Sequence, residues 1–319
     1  MIFRTLYNLI PFFLFQILHI KKEKKIVLFQ RMTDLTKNVW FAVFLTEFVT
    51  TFVINAFTLV AFARSRRRLK RSTYLIISLT VADLGIGAVA GPVDLWLFKT
   101  GAGKEPGHGY NASMISSIFY AASLVNIALI SLERLHATLF PIKHFLLGKR
   151  IYYKFIFFSW FAALILTLVH FFIYMNEAVA GRYTWIIYVF VALLVLATSY
   201  VIIISKVIRK TNSQRLRSVI SAERKLSVTL FIVSAASTLT LLPWVITTCI
   251  SIRSGHLWIQ FSPHGKRSNV VLSLYYLNSI LNPVIYAFRL PEFKRILKGL
   301  FCKNTSSTAL VRPIELRAM

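Results

Sequence analysis

Asn278-Ser-Ile-Leu-Asn-Pro-Val-Ile-Tyr286 is a polar run inside a stretch that otherwise has the composition of a membrane span. Asn278 and Asn282 stand four residues apart and share one face of a helix, and Pro283 removes a backbone donor directly after Asn282. Tyr286 adds a hydroxyl about a turn further on. Such groups are costly in hydrocarbon unless they face a bundle interior or a water-filled path. Two readings are open at this point: a packing accident, or part of a moving polar core.

Composition puts the run in a membrane. Of the 319 residues 56% are hydrophobic, and the mean hydropathy is +0.65, too apolar for an ordinary soluble domain of this length. The formal charge of +27 raises nucleic-acid binding. The basic residues, however, lie in short clusters between long apolar stretches, as in the loops of membrane proteins, and build no basic face. Windows of about 20 apolar residues give seven spans, approximately Val39–Ala63, Tyr74–Phe98, Ala112–Phe140, Ile151–Tyr174, Thr184–Ile208, Leu226–Ile252 and Val270–Phe288. The expected fold is an all-α membrane protein, a seven-transmembrane helix bundle over residues 38–290.

The loops set the orientation. Six of the eight residues from Arg64 to Arg71 are Lys or Arg, and further basic residues follow spans three, five and seven. Loops on the other side are poorer in them. By the positive-inside rule the N-terminus is extracellular and the tail, residues 303–319, is cytoplasmic. Residues 1–37 form an extracellular N-terminal segment containing the apolar stretch Leu6–Ile20. That stretch resembles a signal-peptide core, yet Lys21-Lys-Glu-Lys-Lys25 follows it and no small-residue cleavage site does. An uncleaved signal-like segment, a partial eighth helix and a misassigned start of translation all fit it.

After span seven, Pro291 suits a first helical turn. Phe293, Ile296, Leu297, Leu300 and Phe301 fall on one stripe, with Lys294, Arg295 and Lys298 off it. Residues 291–302 therefore read as an amphipathic helix lying on an anionic leaflet, in contact with membrane lipids. Cys302 at its end is a candidate for lipidation.

Seven anchors in order, one in each span, carry a resemblance. They are Asn55, Ser78-Leu-Thr-Val-Ala-Asp-Leu84, Glu133-Arg-Leu135, Trp160, Tyr200, Pro243 and Asn282-Pro-Val-Ile-Tyr286. On these the chain resembles the rhodopsin-like (class A) G-protein-coupled receptors from about Asn38 to Cys302. The resemblance implies a receptor in the plasma membrane, not an enzyme, that binds an extracellular ligand and promotes nucleotide exchange on a heterotrimeric G protein.

It also implies roles for residues. Asp83 sits mid-membrane, where a carboxylate must be paired, hydrated or neutral. Asn55, Ser123, Asn278 and Asn282 occupy the positions that, with Asp83, line a sodium-holding cavity in the family. All five side chains carry oxygen, which suits a hard Na⁺ ion; a hydrogen-bonded structural aspartate is the simpler reading. Arg134 beside Glu133, with Glu223 twenty residues before Pro243, fits an arginine latch across the foot of the bundle. A snorkelling surface arginine is the alternative. Tyr200, Pro243, Pro283 and Tyr286 complete the activation switch that the resemblance implies. Pro141 and Ile142, seven and eight residues after Arg134, match the loop that contacts the G protein. The blander reading, that Pro141 ends span three, is compatible with that role.

Departures bear on the ligand. The chain has two cysteines, Cys249 and Cys302, and the family's disulfide position twenty-five residues before Arg134 is Gly109. Ala192 stands where span five usually has proline, and Leu241 where span six usually has the tryptophan switch. A short second extracellular loop, the missing disulfide and the missing span-five proline together resemble the melanocortin, lysophospholipid and cannabinoid branches, while Asn278–Arg295 is more similar to adenosine receptors. Two ligand classes are set aside: the aspartate that biogenic-amine receptors carry eighteen residues before Arg134 is Ser116, and the lysine that opsins need six residues before Asn282 is Tyr276. Candidate ligand-facing residues are Asp94, Ser116, Tyr120, Trp244, Tyr275 and Tyr276, with Asp94 able to pair a cationic peptide or amine, or to sit at the wet rim. Asn111-Ala-Ser113 is a glycosylation sequon close to the membrane. The competing reading is a seven-helix decoy, scavenger or constitutively active protein, for which the missing tryptophan and disulfide speak. Nothing in the sequence resembles a metal-ligand set, a catalytic acid pair or the paired broken helices of a transporter.

Overall fold

In the computed structural model the backbone is described over residues 2–64, 71–101, 108–209, 217–253 and 266–289, and most side chains between residues 32 and 285 are described with it. Long runs of Leu, Ile, Phe, Val and Ala with few interior breakers make helices throughout, since in lipid the backbone must satisfy its own polar groups. In chain order the helices are α1 (Ile2–Arg64), α2 (Thr73–Gly85), α3 (Gly91–Thr100), α4 (His108–Leu139), α5 (Pro141–Leu146), α6 (Lys149–Asn176), α7 (Ala178–Arg209), α8 (Arg217–Arg253) and α9 (Lys266–Arg289).

Among the described residues, six segments are long and apolar enough to cross a membrane: Asp34–Arg64, Thr73–Thr100, Ala112–Leu139, Lys149–Asn176, Ala180–Lys206 and Ala235–Arg253. The seventh expected span, carried by α9, has a shorter apolar stretch, Asn269–Ile285. Asn269, Ser273, Asn278, Ser279 and Asn282, which dilute its hydropathy, are the groups it turns towards the bundle, all buried except the half-buried Ser273. Helix α1 runs without a break through residue 37, so no change in secondary structure marks the boundary expected there. The amphipathic segment 291–302, Cys302 within it, and the side chains of Glu223 and Tyr286 lie outside the described residues.

Helix α4 is the axis of the bundle, packing against α2, α3, α5, α6, α7 and α8. Ala121, Ala122 and Ser123 give it a slim buried face. Helix α6 is peripheral, with Phe157, Phe158, Phe161 and Phe172 each more than half exposed to the lipid side. Between α2 and α3 the span makes one π-helical turn, Ile86–Ala90, without leaving the helical path. Gly87 in that turn lies against α1 so closely that a Cβ would stand 2.6 Å from the Phe52 backbone nitrogen. Gly101, at φ +72, ends α3 with its N–H on the Leu97 carbonyl at 2.9 Å.

Candidate functional site

Halfway along the bundle, α2 places Asp83 at zero exposure, facing α4 and α9. The Ser123 hydroxyl donates to one carboxylate oxygen at 2.7 Å and the Asn282 amide to the other at 2.8 Å. The Ser279 side chain reaches the same carboxylate. Asn55 instead spans α1 to α9, its amide nitrogen donating to the Ser279 carbonyl at 3.2 Å and to the Thr51 carbonyl at 2.9 Å. The Asn55 and Asn278 side-chain oxygens are buried and accept no hydrogen bond. Of the five residues expected here, Asp83, Ser123 and Asn282 meet directly, while Asn55 of α1 and Asn278 of α9 stand outside that contact and keep buried carbonyl oxygens without hydrogen bonds.

At one end of the bundle, Glu133 and Arg134 are both buried and ion-paired. Glu133 also accepts from the Ser72 hydroxyl at 2.8 Å and the Tyr152 hydroxyl at 3.1 Å, and Arg134 donates to Ser72. His144 of α5 brings its Nε2 to 3.4 Å from the same carboxylate. Arg134 is therefore no snorkelling surface group. Its neighbour α5 exposes Ile142, Phe145 and Leu146, each by about three-quarters or more, with Pro141 in its first turn. Arg71 holds the far end of α5, donating to the Phe145 and Leu147 carbonyls.

At the opposite end, Asp94 of α3 is buried rather than at a wet rim. The Tyr120 hydroxyl donates to it at 2.7 Å and the Tyr276 hydroxyl at 3.4 Å, with Ser116 beside it. Around that carboxylate the rings form one cluster: Tyr120–Tyr275 at 5.3 Å, Tyr275–Tyr276 at 5.9 Å and Trp244–Tyr275 at 5.6 Å between centroids. The six residues singled out from the sequence thus come from α3, α4, α8 and α9 to one place. Leu241, in place of a tryptophan, is buried one turn from Trp244.

The profile of the 7 transmembrane receptor (rhodopsin family) matches residues 54–183 and 176–286. The chain belongs to that family. It is a G-protein-coupled receptor, built as a multi-pass membrane protein. A trace amine-associated receptor 7c of Rattus norvegicus is 26% identical to it over 304 residues, spanning 81% of this chain and 82% of that receptor.

The receptor also contains functional groups that sequence reasoning passed over. Glu47 on α1 is buried and accepts a hydrogen bond from the Ser273 hydroxyl of α9, while its second oxygen has no partner. An acid inside an apolar span was the available signal. Neither Glu47 nor Asp94 has a basic partner among the described residues. Trp160, one of the family anchors, donates its indole N–H to Ser78 at 3.1 Å and fastens α6 to α2. Ser72, Tyr152 and His144 around the ion pair carry no spacing that would have pointed to them.

Proposed function

We propose that this receptor responds to a ligand bearing a positive charge, an amine or a basic side chain, and that Asp94 takes the cation between the rings of Tyr120, Trp244, Tyr275 and Tyr276. The observation that carries this is a buried carboxylate with no basic partner among the described residues, set inside an aromatic cluster. A desolvated carboxylate favours a cation strongly, and aromatic faces add cation–π attraction. The trace amine-associated relative makes small amines the first ligands to try. The acid stands on α3, whereas biogenic-amine receptors carry it at the place of Ser116, so recognition comes from a different wall of the same pocket. The missing disulfide cysteine and span-five proline support kinship with the melanocortin, lysophospholipid, cannabinoid and adenosine receptors.

In this reading the N-terminus and the Asp94 end are extracellular, in the plasma membrane, and the Glu133 end faces the cytoplasm. Ligand binding is read out by nucleotide exchange on a heterotrimeric G protein that contacts Arg134, Pro141 and Ile142. Glu133 holds Arg134 in the resting state and Glu223 of α8 adds the second half of the latch; Tyr200, Pro243, Pro283 and Tyr286 lie along the path that moves. Asp83, Ser123, Asn282, Asn55 and Asn278 fit a Na⁺ ion, because two of them offer buried carbonyl oxygens without hydrogen bonds. These five side chains would hold the ion, which would supply a positive charge beside the Asp83 carboxylate.

The test is nucleotide exchange in membranes expressing the receptor with a panel of G proteins, challenged with amines and basic peptides and with uncharged analogues. A charged compound drives exchange, and Asp94→Asn raises the concentration needed by at least about a hundredfold, the size expected when one member of a buried ion pair is removed. An uncharged activator that works equally well on Asp94→Asn would end this reading.

A further inference from the structure

Glu47 of α1 shares the defect of Asp94: it is buried, and no basic side chain among the described residues pairs with it. The Ser273 hydroxyl of α9 donates to one of its oxygens. The other, Oε2, is buried without a hydrogen bond. Asn269 stands one helical turn before Ser273, on the same face of α9. It is fully buried, and neither its side-chain oxygen nor its nitrogen has a partner. Native interiors leave few polar atoms in that condition, and each calls for a reason.

Helix α9 ties this place to the Asp94 carboxylate. Ser273 bonds Glu47, and the Tyr276 hydroxyl donates to Asp94 at 3.4 Å. Residues 273 and 276 are i and i+3 on one helix, with Cβ atoms about 5–6 Å apart, so the two carboxylates stand on the order of 10 Å from each other. The charges of both acids reach Tyr276. What lies between them is aromatic. Phe48, next to Glu47, has its ring centroid 4.6 Å from that of Tyr276, and Phe44, a turn earlier, 5.6 Å. From this order of acid, rings and acid we infer a second cation subsite at Glu47, and hence a ligand with two ammonium groups joined by a short methylene chain. The inference rests on the reading of Asp94 as an amine's anchor and extends it.

The chemistry fits at each point. An ammonium carries three N–H donors and no acceptor, and Glu47 Oε2 and Asn269 Oδ1 are acceptors with nothing bound to them. The methylenes meet the apolar faces of Tyr276, Phe44 and Phe48. Two buried carboxylates each carry a desolvation cost that only a counter-charge removes. A monoamine answers one of them and leaves Glu47 unmet. A diamine answers both within one molecule, so the second contact adds to affinity without a second loss of translational freedom.

The experiment measures nucleotide exchange in membranes expressing the full-length receptor. The probes are α,ω-diamines of three to eight carbons, with the monoamines and amino alcohols of equal length. One diamine acts at a concentration at least about tenfold below its monoamine and its amino alcohol, the size expected when one charge-assisted hydrogen bond is added. Glu47→Gln keeps an oxygen for Ser273 and removes that advantage, whereas Asp94→Asn weakens diamines and monoamines alike. Glu47→Asp draws the carboxylate back by one methylene and moves the preferred diamine to a longer chain. It carries the test if melting shows that Glu47→Gln does not fold. Equal action of every diamine and its monoamine on wild type, or a diamine advantage that survives in Glu47→Gln, overturns the inference and leaves the Asp94 reading standing. A receptor that no amine activates overturns both.

Discussion

The two ends of this bundle handle buried charge in opposite ways. At the Glu133 end the acid is enclosed by Arg134, Ser72, Tyr152 and His144, so that charge and hydrogen-bonding capacity are satisfied within the protein. At the Asp94 end two carboxylates, Asp94 and Glu47, are buried with hydroxyl donors alone. The first arrangement is complete in itself and can change only by breaking contacts. The second is left open, and in the proposed reading a cation from outside completes it. An unsatisfied charge is a cost to the empty receptor and an attraction to a ligand, and the fold places that cost at one end.

The comparison breaks first at Glu133. Glu133→Ala leaves Arg134 buried without its acid, and the empty receptor is expected to lose about 3–5 kcal/mol, read as a fall in the melting temperature of detergent-solubilised protein, with higher basal exchange. A melting temperature equal to wild type would show that the enclosure is ornamental. The Asp94 end should move the other way. Asp94→Asn and Glu47→Gln keep an oxygen for Tyr120 and Ser273 to donate to while removing the charge. Each should therefore stabilise the empty receptor by about 1 kcal/mol even as Asp94→Asn ruins ligand response. If both variants melt lower than wild type, the carboxylates are already compensated and the contrast fails.

Between the ends, Asp83→Asn is expected to abolish any shift of agonist affinity between sodium and a large organic cation at equal ionic strength. A wild-type affinity indifferent to sodium would remove the ion from the polar core. The smallest effect belongs to the second half of the latch. Glu223→Ala raises ligand-independent exchange a few-fold, as expected for loss of one contact worth about 1 kcal/mol in a network that retains Glu133. An unchanged basal rate counts against a role for Glu223.

The sequence made the polar core legible because acid and amide residues inside apolar spans have few places to go, and Asp83, Ser123 and Asn282 indeed meet. Arg134 was expected to pair with Glu223, whose side chain lies outside the described residues; the acid it meets is its neighbour Glu133. What surrounds that pair was not legible: Ser72 comes from the turn before α2, Tyr152 from α6 and His144 from α5, and a serine or tyrosine at a helix end has no spacing that announces a distant carboxylate. Glu47 was visible as an acid among Phe, Val and Thr, but its partner Ser273 lies 226 residues away, beyond the reach of any local pattern. Asn55 was expected at the Asp83 carboxylate and bonds the Ser279 carbonyl instead, because a side-chain amide can satisfy a helix backbone as readily as an acid. The seventh span carries the opposite lesson. Its amides and hydroxyls lower its hydropathy, and those same groups mark it as the helix most engaged with the interior.

The π turn at Ile86–Ala90 separates two parts of one span that carry different kinds of information. A π turn is an α-helix with one residue inserted, so everything beyond it is rotated by about 100° relative to everything before. Deleting a single residue from this turn would swing Asp94 away from Tyr120 and towards α1 or the lipid while leaving Asp83 in register with Ser123 and Asn282. On the proposed reading, a change of one codon could thus exchange the face offered to ligands without touching the polar core around Asp83. In a lineage of receptors that share transmission and diversify recognition, such a turn is a joint at which heredity can alter one trait and spare the other.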